Sequence, residues 1–277
     1  MQRIRHEDTH VPAEQSWHSH PPGQPPPAIS VTGLRKTYGT TTAVDSVSFD
    51  VADGEIFGIL GRNGAGKTTT VECLCGLRRP DRGVVEVLGL NPWRDRARVR
   101  TVVGVQLQES VLPDALRVIE LVQMYRSFYR DGNDPEALLK DFGLWEKRRT
   151  KYSELSGGQQ QRLSIVLALI GRPRVAILDE LTTGLDPRSR RNVWSLVEAL
   201  RDSGVTVVLV THFMEEAERL CDRVAVIEDG GIVALDTPEQ LKHESGVDSL
   251  EDAYLALTGA GIEVGEDQST NDTWEMS

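Results

Sequence analysis

Residues 61–68 read Gly61-Arg62-Asn63-Gly64-Ala65-Gly66-Lys67-Thr68, with a further threonine at Thr69. No other stretch narrows the possible fold as much. It matches G-x-x-x-x-G-K-[ST] at every fixed position and lies between an apolar run, residues 56–60, and a helix-like run, residues 67–74, that Gly76 ends. Glycines let successive backbone N–H groups turn inward around a phosphate, where a Cβ would obstruct them. The helix start adds its dipole and its unpaired donors. Gly61, Asn63, Gly64, Ala65, Gly66 and Thr69 then frame a nucleotide's phosphates, Lys67 reaches the β- and γ-phosphates, and the Thr68 hydroxyl ligates Mg²⁺.

A second run has chemistry of its own. Residues 175–178 are apolar and end in Asp179-Glu180. In open α/β sheets ligands bind at the carboxyl ends of strands. Asp179 is therefore expected to hold Mg²⁺ and Glu180 to orient and deprotonate an attacking water. A solvated Asp-Glu pair at a strand end is common. The phosphate loop upstream favours the functional reading.

The third run is Leu155-Ser156-Gly157-Gly158-Gln159-Gln160-Gln161-Arg162, followed by apolar residues 163–170. Ser156 as N-cap with Gln159 three residues on has the spacing of a capping box. Gly157 and Gly158 leave the first helical N–H groups open to an anion. A chain that already has one phosphate loop needs a reason for a second anion-binding helix end.

With these three runs in this order, residues 29 to 241 resemble the ATP-binding subunit of an ABC (ATP-binding cassette) transporter. The resemblance implies a head-to-tail dimer, with itself or a similar cassette, in which each copy's Ser156-Gly157-Gly158-Gln159 segment caps the ATP held by the other. It also implies roles for single residues. Tyr38 stacks on adenine, Gln108 (or less favourably Gln106) contacts Mg²⁺ and the water, Asp186 in Gly184-Leu185-Asp186-Pro187 crosses the dimer seam, and His212 contacts the γ-phosphate. Cofactors are ATP and Mg²⁺. Arg62 and Leu181 stand where many members carry proline, and Leu181 is expected to loosen the segment leading to Asp186.

Elsewhere, strand-like runs (residues 29–34, 47–51, 84–88 and 205–210) alternate with helix-like runs (192–201 and 214–221). A hairpin pairs residues 224–227 with 232–235 around Asp229-Gly230-Gly231. The fold expected is α/β: a P-loop NTPase core with a parallel sheet, an N-terminal antiparallel β layer and an inserted α-helical subdomain at about residues 105–165. There Val118, Leu121, Met124, Tyr125, Phe128 and Tyr129 read mostly as helix core, with a minority exposed for docking a partner.

Both ends differ from this middle. Residues 1–27 hold six of the 13 prolines and four of the six histidines, and read as an extended tail. No Lys or Arg follows Lys242, and nine acidic residues do, so residues 242–277 read as an acidic extension with one short helix at residues 250–258. The formal net charge of -11 argues against a general basic surface for nucleic acid. No apolar run approaches the ~18 residues of a membrane span, and the N-terminal residues do not read as a signal peptide. Three cysteines without metal-ligand spacing read as reduced thiols.

A single cassette without a span suggests an ATPase subunit whose membrane permease is a separate chain. It is then peripheral at the cytoplasmic face of the membrane. The phrases Thr182-Thr183-Gly184-Leu185-Asp186-Pro187 and residues 250–259 resemble the bacterial exporter branch that includes daunorubicin/doxorubicin-resistance ATPases, which moves drugs, lipids or polysaccharides outward. The alternative is a non-transport ABC ATPase acting on DNA or the ribosome. Those classes usually carry a long coiled-coil insertion or a second cassette.

Overall fold

The computed structural model describes residues 25–107 and 112–259. Gln108 lies outside the described residues, as do most of the N-terminal tail and residues 260–277. The strands are β1 (Ile29–Tyr38), β2 (Thr41–Val51), β3 (Ile56–Leu60), β4 (Arg82–Val87), β5 (Val103–Gln106), β6 (Val175–Asp179), β7 (Thr206–Thr211), β8 (Arg223–Glu228) and β9 (Gly231–Asp236). The helices are α1 (Lys67–Leu74), α2 (Arg96–Val102), α3 (Val118–Arg126), α4 (Pro135–Asp141), α5 (Gly157–Leu169), α6 (Pro187–Asp202), α7 (Met214–Leu220), α8 (Pro238–Ser245) and α9 (Leu250–Thr258).

The central six-stranded sheet has the order β5-β6-β7-β3-β8-β9. All neighbours in it run parallel except β8 and β9. Every residue of β3, β6 and β7 is buried, because layers cover both faces of the sheet. One layer is the antiparallel sheet β2-β1-β4. It is joined to the central sheet by Phe49 of β2 stacked on Phe57 of β3, with ring centroids 5.1 Å apart. The other layer is helical: Leu163, Val166, Val193 and Ala217 pack on Leu178, Leu209 and Val224.

This is the expected α/β architecture, with differences at element ends. β1 and β2 run on through Lys36-Thr37-Tyr38 and Thr41-Thr42, which pair across the hairpin although hydropathy alone ends the strands sooner. α6 starts at Pro187, behind the Asp186 cap, rather than near residue 192. The sequence reading does not anticipate α2 or α8. Thr237 caps α8 by accepting from Gln240 N at 3.1 Å, with Pro238 in the first turn. α9 forms where expected and buries Leu250, Ala253 and Tyr254.

Between β5 and α5 lie α3 and α4. Val118 and Leu121 are core, whereas Met124, Tyr125 and Tyr129 are partly buried against it. Phe128 is the exposed one, at 69%. Cys73, Cys75 and Cys221 are free thiols. Among the described residues no helix is long and apolar enough to cross a membrane.

Candidate functional site

β3 ends at Leu60 and hands the chain to the phosphate loop between its neighbours β7 and β8. Two glycines of the loop are set by backbone that approaches from outside it. A Cβ on Gly61 would sit 2.3 Å from the carbonyl oxygen of Ile227, and one on Gly66, at φ +105, 2.4 Å from that of Ala43. Gly230 N also donates to Ala65 O at 3.0 Å, and Asp45 N to Gly230 O at 2.8 Å. The hairpin turn and β2 thus brace the loop from both sides.

The loop lines a cavity of about 300 Å³ through Asn63, Gly64, Gly66, Lys67, Thr68 and Thr69, with Ala43, Asp179 and Glu180 opposite. Lys67 is buried and donates through Nζ to Gly61 O at 2.7 Å and Arg62 O at 3.0 Å. Burial draws its pKa below the ordinary lysine value, against the opposing charges of Glu180, Asp179 and Glu228. Asp179, 2% exposed, is pushed up to about 6 by burial, with Glu180 adding to the shift and Lys67 opposing it.

Glu180 leaves the strand in the left-handed region, φ 50, with its N–H bonded to Val210 O at 2.9 Å. That conformation costs a non-glycine residue roughly 1–3 kcal/mol and is kept only where surrounding structure imposes it. Its carboxyl Oε1 lies 3.2 Å from His212 Nδ1, so β6 and β7 bring the two predicted catalytic side chains together. Thr183 Oγ1 lies 3.4 Å from the other oxygen. Leu181, next in the chain, is fully buried.

Gln106, the less favoured glutamine, has a defined part. It is 5% exposed, its Oε1 accepts from Asp179 N at 3.1 Å, and its Nε2 donates to Leu107 O at 3.0 Å. It fixes the backbone of the acidic strand end and is thereby committed within the chain.

The remaining predicted residues stand apart from this cavity. Tyr38 ends β1, is 40% exposed, and has Arg78 at 5.5 Å and Lys36 at 5.7 Å from its ring centroid. Ser156 N donates to Gln159 Oε1 at 3.1 Å, the backward half of the capping box. Ser156 and Gly157 are exposed, and a Cβ on Gly157 would meet nothing within 4 Å. No residue of this helix start lines the cavity. Asp186 caps α6, accepting from Arg188 N and Ser189 N at 3.0 Å each and from Ser189 Oγ at 2.6 Å.

The donor set suits Mg²⁺. The Asp179 carboxyl and the Thr68 hydroxyl are hard oxygen donors that line one cavity. No group of three or more His, Cys, Asp or Glu that could hold a metal occurs among the described residues. Few protein ligands beside substrate phosphates is the usual Mg²⁺ arrangement. Sequence reasoning missed the bracing by Ala43 and Gly230, which depends on contacts distant in sequence. It also missed Glu216, a fully buried carboxyl on α7 with no motif around it.

Comparison with known proteins identifies the family and the fold. A family model described as ABC transporter matches residues 44–183. The chain is 42% identical over 231 residues to the Nod factor export ATP-binding protein I of Ralstonia nicotianae, covering 81% of this chain and 72% of that one. It is 41% identical over 228 residues to the daunorubicin/doxorubicin resistance ATP-binding protein of Streptomyces peucetius, covering 80% and 69%. A solved dimeric post-hydrolysis state of an ATP-binding cassette bound to ADP and Pi superposes with a TM-score of 0.69 at 27% identity, covering 76% of this chain and 98% of the other.

Proposed function

The chain belongs to the ABC transporter family of ATP-binding proteins, and on that premise we propose that it hydrolyses ATP to power export of a drug, lipid or polysaccharide through a separate membrane permease. The relatives' names, Nod factor export and drug resistance, favour export over a role on DNA or the ribosome. The observation that carries the catalytic reading is the 3.2 Å approach of His212 Nδ1 to Oε1 of Glu180, a residue that lines the phosphate-loop cavity.

In this reading the loop N–H groups and Lys67 bind the β- and γ-phosphates, and Tyr38 offers its exposed ring to adenine. Mg²⁺, held by Thr68 and Asp179 with Gln108, would neutralise charge on the transferred phosphoryl group. Glu180 accepts the proton of the attacking water. His212, held against Glu180 at 3.2 Å, would contact the γ-phosphate. The Ser156–Gln159 helix start, exposed at Ser156 and Gly157 and outside the lining of its own cavity, closes over the nucleotide of a second copy, while Asp186 lies at the seam. Closing that dimer would shift the permease between its two states. The chain would then reside at the cytoplasmic face of the membrane, held there by the permease, with residues 28–241 as the cassette and 242–277 as an extension.

The test is Glu180→Gln in the purified full chain. Turnover is expected to fall by about 10²–10⁴-fold, with ATP binding and an ATP-dependent dimer retained on light scattering. Wild-type turnover would remove Glu180 as the base. Co-purification with a permease from membranes checks the transport role.

A further inference from the structure

Glu216 lies in the first turn of α7 with no exposed surface. It belongs neither to the phosphate loop nor to the acidic strand end. Its Oε1 accepts from Trp194 Nε1 of α6 at 3.0 Å. The hydroxyls of Thr211 and Thr182 come close enough to the carboxyl to oppose the upward pull of burial on its pKa. Even so, Glu216 Oε2 and Thr182 Oγ1 lack a partner of good hydrogen-bond geometry. Arg190 does not neutralise the carboxyl by an ion pair. It reaches Glu215 at 3.8 Å and stacks over Phe213 at 4.8 Å, leaving its Nε without a partner. A carboxyl in such a place favours the neutral acid, which donates as well as accepts.

The positions of its neighbours give this cluster its meaning. Thr182 is two residues beyond Glu180. Thr211 immediately precedes His212, and its Oγ1 accepts from Phe213 N at 3.0 Å. Trp194 lies on α6, the helix capped by Asp186. One buried carboxyl therefore meets the turn after Glu180, the strand end before His212 and the helix behind the expected seam. Glu180 holds a strained backbone, which must be imposed from several sides.

We propose that Glu216 is a positioning residue, tying Thr182 to Thr211 beneath the site so that Glu180 and His212 keep their 3.2 Å contact. The inference rests on Glu180 acting as the base and deepens that reading. Substituting methionine keeps most of the volume but leaves Trp194 Nε1 without its acceptor and takes away the carboxyl that Thr182 and Thr211 face. Glutamine keeps an acceptor and a donor.

The experiment compares Glu216→Met, Glu216→Gln and Thr182→Val in the purified full chain, measuring kcat and KM for ATP, equilibrium binding of a fluorescent ATP analogue, and thermal unfolding. Glu216→Met is expected to lower kcat roughly 10- to 100-fold, as small misplacements of reacting groups do, with analogue affinity within about twofold of wild type. Glu216→Gln is expected to stay within about threefold of wild-type kcat. Thr182→Val should fall in the same direction as methionine, by less.

Wild-type kcat in Glu216→Met overturns the proposal. So does a loss seen only in affinity or in the folded fraction, or a glutamine variant as impaired as methionine. If the methionine variant does not fold, unchanged kcat in Thr182→Val overturns it. Glu180→Gln measured alongside separates the two readings. If it retains turnover, the base assignment fails. If it loses turnover as expected while Glu216→Met and Thr182→Val keep wild-type kcat, only the present inference fails.

Discussion

A Cβ added to Gly158 would lie 3.0 Å from Oγ of Ser189, the same hydroxyl that donates to Asp186 at 2.6 Å. The start of α5 and the start of α6 therefore touch at one glycine, and the residue held there is the one expected at the dimer seam. Gly157 beside it has open space. Gly157→Ala should leave the melting temperature unchanged, because nothing in the chain opposes the methyl group. Its turnover should nevertheless drop about tenfold if a second copy's phosphate must approach that turn. Gly158→Ala should lower both, with a stability loss of about 1–3 kcal/mol from overpacking. Thermal melts and steady-state ATPase assays on the pair check this, and full turnover in Gly157→Ala counts against capping by a second copy.

Gln106 accepts from the backbone N–H of Asp179 in a buried setting. Gln106→Leu leaves that N–H unpaired, at a stability cost of about 1–3 kcal/mol, and frees the acidic strand end to shift. Denaturant midpoints should fall and turnover should fall with them, while the loop still binds ATP. Wild-type stability in this variant would show that the contact contributes nothing.

Much of this site was legible because its parts are local. The phosphate loop, the Asp179-Glu180 strand end and the Ser156–Gln159 helix start each announce themselves within a few residues, since a glycine-bounded loop or a capping box is decided by near neighbours. Residues whose roles depend on distant partners were not legible. Gln106 reads as a possible ligand until Asp179, 73 positions away, takes its side chain. Glu216 sits in the charged run Glu215-Glu216-Ala217-Glu218, where hydropathy suggests a solvated face. Only the packing of α7 on α6 buries it. The strand ends at Tyr38 and Thr41 were missed for a related reason, because cross-strand pairing extends a polar hairpin that periodicity alone does not reveal.

Lys67 makes its hydrogen bonds to the carbonyls of Gly61 and Arg62, within the loop it is expected to help bind phosphate. Lys67→Ala removes a charge-assisted donor worth about 1.5–3 kcal/mol to an anion, so the Kd for ATP should rise roughly 10- to 100-fold. Titration with a fluorescent ATP analogue measures it. Unchanged affinity would mean that the loop does not hold the phosphates through this side chain.

Glu216 also makes a prediction about pH. Burial raises its pKa above the ordinary carboxylate value in the folded chain, with Thr211, Trp194, Thr182 and Arg190 opposing the shift. The folded form therefore binds more protons than the unfolded form from the ordinary carboxylate range up to its own raised pKa. Stability falls as pH rises through that window and levels off above the folded pKa. Glutamine at this position does not titrate and keeps the neutral pattern of donor and acceptor. The advantage of Glu216→Gln over wild type should thus be smallest at pH below the ordinary carboxylate pKa, grow as pH rises toward the raised folded one, and then hold constant. The difference between the two proteins isolates this group, because Asp179 and Glu55, also raised by burial, titrate alike in both. Paired denaturant melts across the acid-to-neutral range give the result. A difference that does not change with pH would mean that Glu216 ionises in the fold as easily as in the unfolded chain.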